Sequence, residues 1–388
     1  MTLLMQAIPA IDPETDPYLH EYQIPVCVPY EHSAAKGGVF ITGATGLVGV
    51  HLLDHLLTTT DKKIYVMVRA KSKGKINKEA AKYKLALPGF EERVTIVDGD
   101  FKKRALGISQ EMWDKLARSV DQCFHLAANS SFTATYEVLR GDWMPSFVLL
   151  CEFCAANGVA FHMIGSVGRF AIDANRTRRG IWTSGYMRQK WVQHALFERF
   201  RAGGLTCSWV DCSYILGTVK SGGVNPGFHD SMWKAAAIQQ AVGVAFPGDA
   251  TLVPVDLLVT AVWNNADREK EKIAPYMSLR LKKMLTNVDV GVPKRVGPQE
   301  FWAAATEAGF QGVFIKAFVP TDIGTLVKSM HRPFEAPPEI AALFDLTHEE
   351  EMKVIKANYD FAAKEFYKLD AFMPRGKGKG KGEGKKSS

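Results

Sequence analysis

Long apolar runs are missing from this chain of 388 residues. The stretch Trp143–Cys151 is too short to span a bilayer and meets Glu152 at once, so no membrane span is expected. Residues 1–20 lack the basic start and long apolar stretch of a secretory signal. Cysteine is scarce, with 6 residues, which excludes a disulfide framework; glycine, with 33, excludes a collagen-like chain. The expected home is therefore a reducing compartment, the cytoplasm. A broad basic field is missing too. Of the net charge of +7, residues 375–388 carry +5 through Arg375, Lys377, Lys379, Lys381, Lys385 and Lys386 against Glu383. The body is close to neutral, and no nucleic-acid partner is expected. The 375–388 tail alternates Gly with Lys and is expected to be disordered. There is no internal repeat.

What is present is an ordinary globular composition, 47% hydrophobic and 23% charged, with room for two domains. Residues 1–36 hold Pro9, Pro13, Pro17, Pro25 and Pro29 and read as an extended leader. From Gly37, short apolar strands alternate with helical stretches. The expected strands are Val39–Ala44, Ile64–Arg69, Val94–Asp98, Gln122–Leu126, Val159–Ile164 and Cys207–Val210. They show almost no apolar/polar alternation, as strands do when both faces are covered. The expected helices are Leu47–Leu57, Lys78–Leu87, Gln110–Ser119, Phe147–Asn157 and Tyr186–Phe200. This alternation predicts an α/β fold with a doubly wound parallel sheet, a Rossmann domain over 37–217. Residues 218–374 read as a smaller, mixed, mainly helical substrate-binding region with some segments returning to the sheet. Its expected elements are helices at Val255–Asn265, Pro298–Ala308 and Glu349–Leu369 and a strand at Met284–Val290.

The first strand runs into Thr42-Gly43-Ala44-Thr45-Gly46-Leu47-Val48-Gly49 and then a helix. Gly43 permits a tight turn, Gly46 lets a pyrophosphate approach the backbone, and Gly49 lets helix and strand pack closely. Strand, glycine triplet and helix together predict dinucleotide binding. The second strand ends on Arg69, where an NAD site would place an acid for the ribose hydroxyls. A guanidinium suits a 2′-phosphate instead, so NADPH is the expected cofactor. Lys71, Lys73 and Lys75 follow as loop charges. Asp100, after the third strand, is a candidate for the adenine amino group. The expected cofactor set also includes Thr45, Leu47, Val48, Phe101, Ala127, Ala128 and Asn129.

Tyr186 and Lys190 form a Tyr-x-x-x-Lys pair on one face of an expected helix. A free phenol, with a pKa near 10, is a poor acid–base group at neutrality; a neighbouring ammonium and the nicotinamide's own positive charge are expected to lower it. Lys190 can also hold the nicotinamide ribose. Ser166 ends the fifth strand, where ligands of such sheets bind, and its hydroxyl can donate to a carbonyl oxygen. His51 and His55, and Cys151 with Cys154, have metal-like spacings but no further partners in sequence, and read as packing residues.

Together these motifs resemble the extended short-chain dehydrogenase/reductases. Ile64–Ala70, Leu106–Ser109 with Trp113, Phe124–Asn129, Ser184-Gly185-Tyr186, Lys190-Trp191-Val192 and Val253–Asp256 narrow the resemblance. They are similar to the thioester reductase group, over about residues 37–310. That group includes the terminal reductase domains of non-ribosomal peptide and polyketide synthases, enzymes of secondary metabolism, and the reductase part of carboxylic acid reductases. The resemblance implies NADPH-dependent reduction of an acyl thioester on a phosphopantetheine arm or CoA to an aldehyde, with an alcohol as a possible second product. An acyl or peptidyl carrier protein would act in trans. It further implies that Ser166 polarises the carbonyl, Tyr186 protonates the oxyanion and Lys190 positions the ribose. Arg69 matches the family's phosphate ligand, and Lys84 falls at a second basic position. Three departures stand out. Ser166 replaces the commoner Thr. Trp143-Met144-Pro145-Ser146-Phe147 replaces Asn-Val-x-Gly-Thr, with Pro145 expected to start or kink its helix. Asp211-Cys212-Ser213 stands where Arg-Pro-Gly is usual. The last two are expected near the substrate channel. Two alternatives remain open at this point: a reductase or epimerase of a free carbonyl or sugar, and a cofactor-binding scaffold without turnover.

Overall fold

The computed structural model describes residues 15–31, 36–69, 72, 74–130, 134–170, 185–212, 214–219, 250–282, 284–285 and 333–362. The expected helix Pro298–Ala308, the tail 375–388, Lys71, Lys73, Ser184 and most of 218–250 lie outside these residues.

Seven parallel strands form the central sheet: β1 (Gly38–Thr42), β2 (Ile64–Val68), β3 (Val94–Asp98), β4 (Val120–His125), β5 (Ala160–Ile164), β6 (Cys207–Cys212) and β9 (Tyr276–Leu279). Their order is β3-β2-β1-β4-β5-β6-β9. The chain starts in the middle, winds outward over β2 and β3, then returns to β4 on the other side. The crevice between the carboxyl ends of β1 and β4 is thus the topological switch point, where ligands of such sheets bind. A smaller sheet pairs β7 (Tyr214–Leu216) in parallel with β8 (Ala250–Pro254), and β8 in antiparallel with β10 (Met284–Leu285).

Helices cover both faces, which explains the unbroken apolar strands. On one face α1 (Leu47–Thr59) packs beside α6 (Val255–Ala266), with α2 (Lys75–Lys82) and α7 (His348–Ala362) nearby. Leu52, Leu53, Leu56, Val66, Leu258 and Val262 share that core. On the other face α3 (Gln110–Ser119), α4 (Tyr136–Asn157) and α5 (Gly185–Ala202) bury Leu116, Phe147, Leu150, Leu196 and Phe197 against Phe40 and Phe161.

Two helices depart from the expected bounds. α2 starts before Lys78 and stops at Lys82, because Lys84 and Leu87 take left-handed backbone, with φ of 58° and 45°. α4 begins at Tyr136, capped by the Thr135 side chain, and carries Pro145 in its interior. Pro145 neither starts nor ends this helix; burial of Tyr136, Leu139 and Met144 on its first three turns outweighs the missing amide. No helix of the described residues is long and apolar enough to cross a membrane.

Candidate active site

The phosphate loop sits at the switch point. Gly43 has φ +83°, and a Cβ there would lie 2.5 Å from the Ala127 amide nitrogen, so only glycine fits. A Cβ on Gly49 would collide with the Gly43 carbonyl, whereas one on Gly46 would meet only that oxygen, at 3.4 Å. Gly46 is exposed and is the N-cap of α1, with no side chain capping the helix. The first-turn amides of α1 are therefore left for an anion.

A cleft of about 330 Å³ opens in front of this loop. Gly43, Thr45 and Gly46 line it, with Arg69 from the end of β2, Asp100 and Phe101 beyond β3, and Ala127 and Ala128 beyond β4. These predicted residues converge as the dinucleotide reading requires: an anion site at a helix start, a cation at the end of β2 and an apolar wall. The residues present fit a nicotinamide dinucleotide. Leu47, Val48 and Gly49 form the first turn of α1 behind the loop; neither they nor Asn129 are among the cleft-lining residues.

Sequence reading missed part of the wall. Lys84 is exposed and is not among the cleft-lining residues; its left-handed backbone follows the end of α2. Two further cations line the cleft: Lys75, at the start of α2 beside buried Ser72, and Lys102, after β3. Trp143, expected near a substrate channel, instead lines this cleft, its ring 5.0 Å from that of Phe101. At the ends of β1 and β4, Thr42 and His125 are hydrogen-bonded, Oγ1 to Nδ1 at 2.8 Å. Burial pushes His125 down to about 3, with Lys190 adding to the effect, so the ring is neutral.

Ser166, Tyr186 and Lys190 meet at the end of β5, the strand beside β4. Ser166 Oγ accepts the Gly168 amide at 3.1 Å and its hydroxyl is hydrogen-bonded to the Tyr186 phenol. Lys190 Nζ donates to the Ile164 carbonyl at 3.3 Å and lies 5.9 Å from the Tyr186 ring centroid. The expected depression of the Tyr186 pKa is absent. Burial raises it, Cys212 and Asp211 add to the rise, and the Ser166 hydrogen bond only opposes it. Burial draws Lys190 down to about 8, against the pull of Cys212 and Asp211. Tyr186 is thus a phenol, a proton donor. Asp211, expected after the sixth strand, is a fully buried residue within β6. His51 is buried, bonded by Nδ1 to the Leu47 carbonyl at 2.7 Å and packed on Tyr83.

The family model described as Male sterility protein (NAD_binding_4) matches residues 41–262, more than half of the chain. The chain belongs to this family. Within the Male sterility protein family, the segment that matches holds the loop, Arg69, Ser166, Tyr186 and Lys190 described above. One of the proteins of the linear gramicidin synthase of Brevibacillus parabrevis is 28% identical over 247 residues, 59% of this chain and 5% of that protein. L-2-aminoadipate reductase of Schizosaccharomyces pombe is 26% identical over 214 residues, 48% of this chain and 15% of that protein. The chain therefore spans a small part of the length of these relatives. The crystal structure of the terminal R domain from the myxalamid PKS-NRPS biosynthetic pathway shares the fold. Its TM-score is 0.71 at 19% identity, over 89% of this chain and 95% of that one. The family is an NAD(P)-binding one with reductases among its relatives.

Proposed function

We propose that this protein is an NADPH-dependent reductase of acyl thioesters, with the acyl group carried on a phosphopantetheine arm of CoA or of a carrier protein in trans. The observation that carries the reading is the hydrogen-bonded Ser166–Tyr186 pair with buried Lys190 at the strand end beside the dinucleotide cleft. The likeness to segments of a peptide synthase and an aminoadipate reductase supports a thioester over a free ketone. In this reading residues 37–217 hold the cofactor, 218–374 face the acyl chain, and the protein works in the cytoplasm.

The loop amides, Arg69 and Lys75 would hold the phosphates, with the 2′-phosphate on the two cations, and Asp100 and Phe101 the adenine. Lys190 would hold the nicotinamide ribose. Bound there, the nicotinamide supplies a hydride. Ser166 donates a hydrogen bond to the thioester oxygen and stabilises the oxyanion as it forms. Tyr186, kept protonated by burial, delivers its proton to that oxygen. Collapse of the resulting hemithioacetal breaks the C–S bond and frees an aldehyde and a thiol. The same groups serve an aldehyde that stays for a second reduction to the alcohol.

Incubation with NADPH and a set of acyl-CoA and acyl-carrier thioesters, with product identification, tests this. Aldehyde or alcohol from at least one thioester is expected. Turnover of free ketones or sugars alone would overturn it.

A further inference from the structure

Beside Ser166 lies a buried charge pair whose carboxylate, besides raising the Tyr186 and Lys190 pKa values, is tied to the Ser166 turn. Arg169, in the turn Val167–Arg169, reaches Asp211 on β6: Nε donates to Oδ2 at 2.9 Å and a terminal nitrogen reaches the same oxygen at 2.7 Å. Trp209 Nε1 donates to Oδ1 at 2.8 Å, and the Tyr276 hydroxyl on β9 bonds to the same carboxylate. The two charged side chains are 8% and 0% exposed. The guanidinium lies 3.9 Å from the Phe170 ring centroid. A pair this deep adds little net stability, because desolvation offsets attraction, yet a carboxylate with several donors permits one arrangement.

Two contacts tie this pair to Ser166. Arg169 donates its amide to the Ser166 carbonyl at 3.1 Å, within the turn that also directs Gly168 N–H to Ser166 Oγ. On the other side, Gly165 rests on the carboxylate: a Cβ there would lie 2.6 Å from Asp211 Oδ1 and collide with the Trp209 indole nitrogen. Asp211 thus holds the residue before Ser166 by close packing and the residue three after it by an ion pair.

We propose that the Arg169–Asp211 pair is a positioning device for Ser166, fixing turn 165–169 so that its hydroxyl stays aimed at Tyr186 and the substrate carbonyl. This rests on the reading of Ser166 as the carbonyl donor. Asp211 and Arg169 are positioning residues, acting through Ser166.

The test places Arg169→Lys and Asp211→Asn each in the unaltered chain and in a Ser166→Ala background. Amide exchange at Gly168 and Arg169 should speed up roughly tenfold or more, with exchange in α5 unchanged. In the unaltered chain kcat on an acyl thioester should fall about tenfold, with the NADPH Kd within about twofold; in Ser166→Ala the further loss should be under about twofold. Equal losses in both backgrounds, or unchanged exchange at Gly168, would overturn the proposal. Arg169→Lys keeps a cation against the carboxylate and carries the test if Asp211→Asn does not fold. A Ser166→Ala variant with full activity would sink the reading of Ser166 instead, while the exchange data still judge the clamp.

Discussion

Arg69 and Lys75, with Lys102, line the cleft where the proposal places the 2′-phosphate, so charge there should decide the cofactor. Loss of a charged hydrogen bond costs about 1.5–3 kcal/mol. Arg69→Ala should raise the NADPH Kd roughly tenfold or more and leave NADH nearly unchanged. Equal losses, measured by fluorescence titration, would show that Arg69 does not read the phosphate. Lys84→Ala should leave both affinities alone, since that residue is not among those lining the cleft. Lys190 gives the pH dependence. Burial holds its pKa near about 8. As pH rises through that value the free enzyme loses the cation, so kcat/KM for NADPH should decline above it. The sign for stability is opposite. The unfolded chain keeps this proton to a higher pH, so folding gains from rising pH above about 8. An alkaline limb unchanged in Lys190→Met would assign the decline to another group.

Whole helices set the reach of Tyr186. Gly185 opens α5 against the start of α4: a Cβ there would collide with backbone atoms of Ala134, Thr135 and Tyr136. Gly185→Ala should cost about 1–3 kcal/mol and displace Tyr186 with its helix. Gly141, exposed within α4, has nothing within 4 Å of a Cβ, so Gly141→Ala should stabilise by about 0.5–1 kcal/mol. Thermal melts of the two variants should move in opposite directions. The elements were legible where one local rule governed. Parallel strands read as apolar runs because helices cover both faces, and the glycine triplet read as a loop because strand and helix flank it. The sequence reading places the start of α4 too late, since a proline rule applied alone ignores the apolar residues before Pro145. Lys84 has left-handed backbone, which its position relative to a family motif does not show. The Arg169–Asp211 pair joins residues far apart in sequence, and only the sheet brings them together.

Over the whole molecule, the leader ties α4 to α5. Buried Asp16 accepts from the Tyr136 hydroxyl at 2.5 Å and from Arg140 Nε at 2.6 Å, while Tyr22 donates to Glu152 at 2.6 Å. Arg199 on α5 donates to the carbonyls of Leu19 and Tyr22, each at 2.7 Å. The strap thus crosses the helices that carry Tyr136 and Tyr186. Burial alone would raise the Asp16 pKa, but the Arg140, Tyr136 and Tyr18 hydrogen bonds outweigh it and hold the carboxyl below its ordinary value. Its contribution is therefore present above the ordinary carboxylate pKa and is lost as pH falls through and below it. Asp16→Asn should lower the melting temperature at neutral pH, and the gap from the unaltered protein should narrow as pH falls below the ordinary carboxylate range. A gap that does not change with pH would mean that the Asp16 charge is not what holds the strap.

Thioester reduction itself is judged by two readouts in one reaction: NADPH oxidation and release of free thiol from an acyl-CoA or acyl-carrier substrate. Reduction that stops at the aldehyde requires one thiol for each NADPH, and reduction to the alcohol one thiol for every two. Thiol release should depend on NADPH and fall in Tyr186→Phe and Ser166→Ala. NADPH oxidation with no thiol set free, whatever the thioester offered, would contradict the proposed reaction.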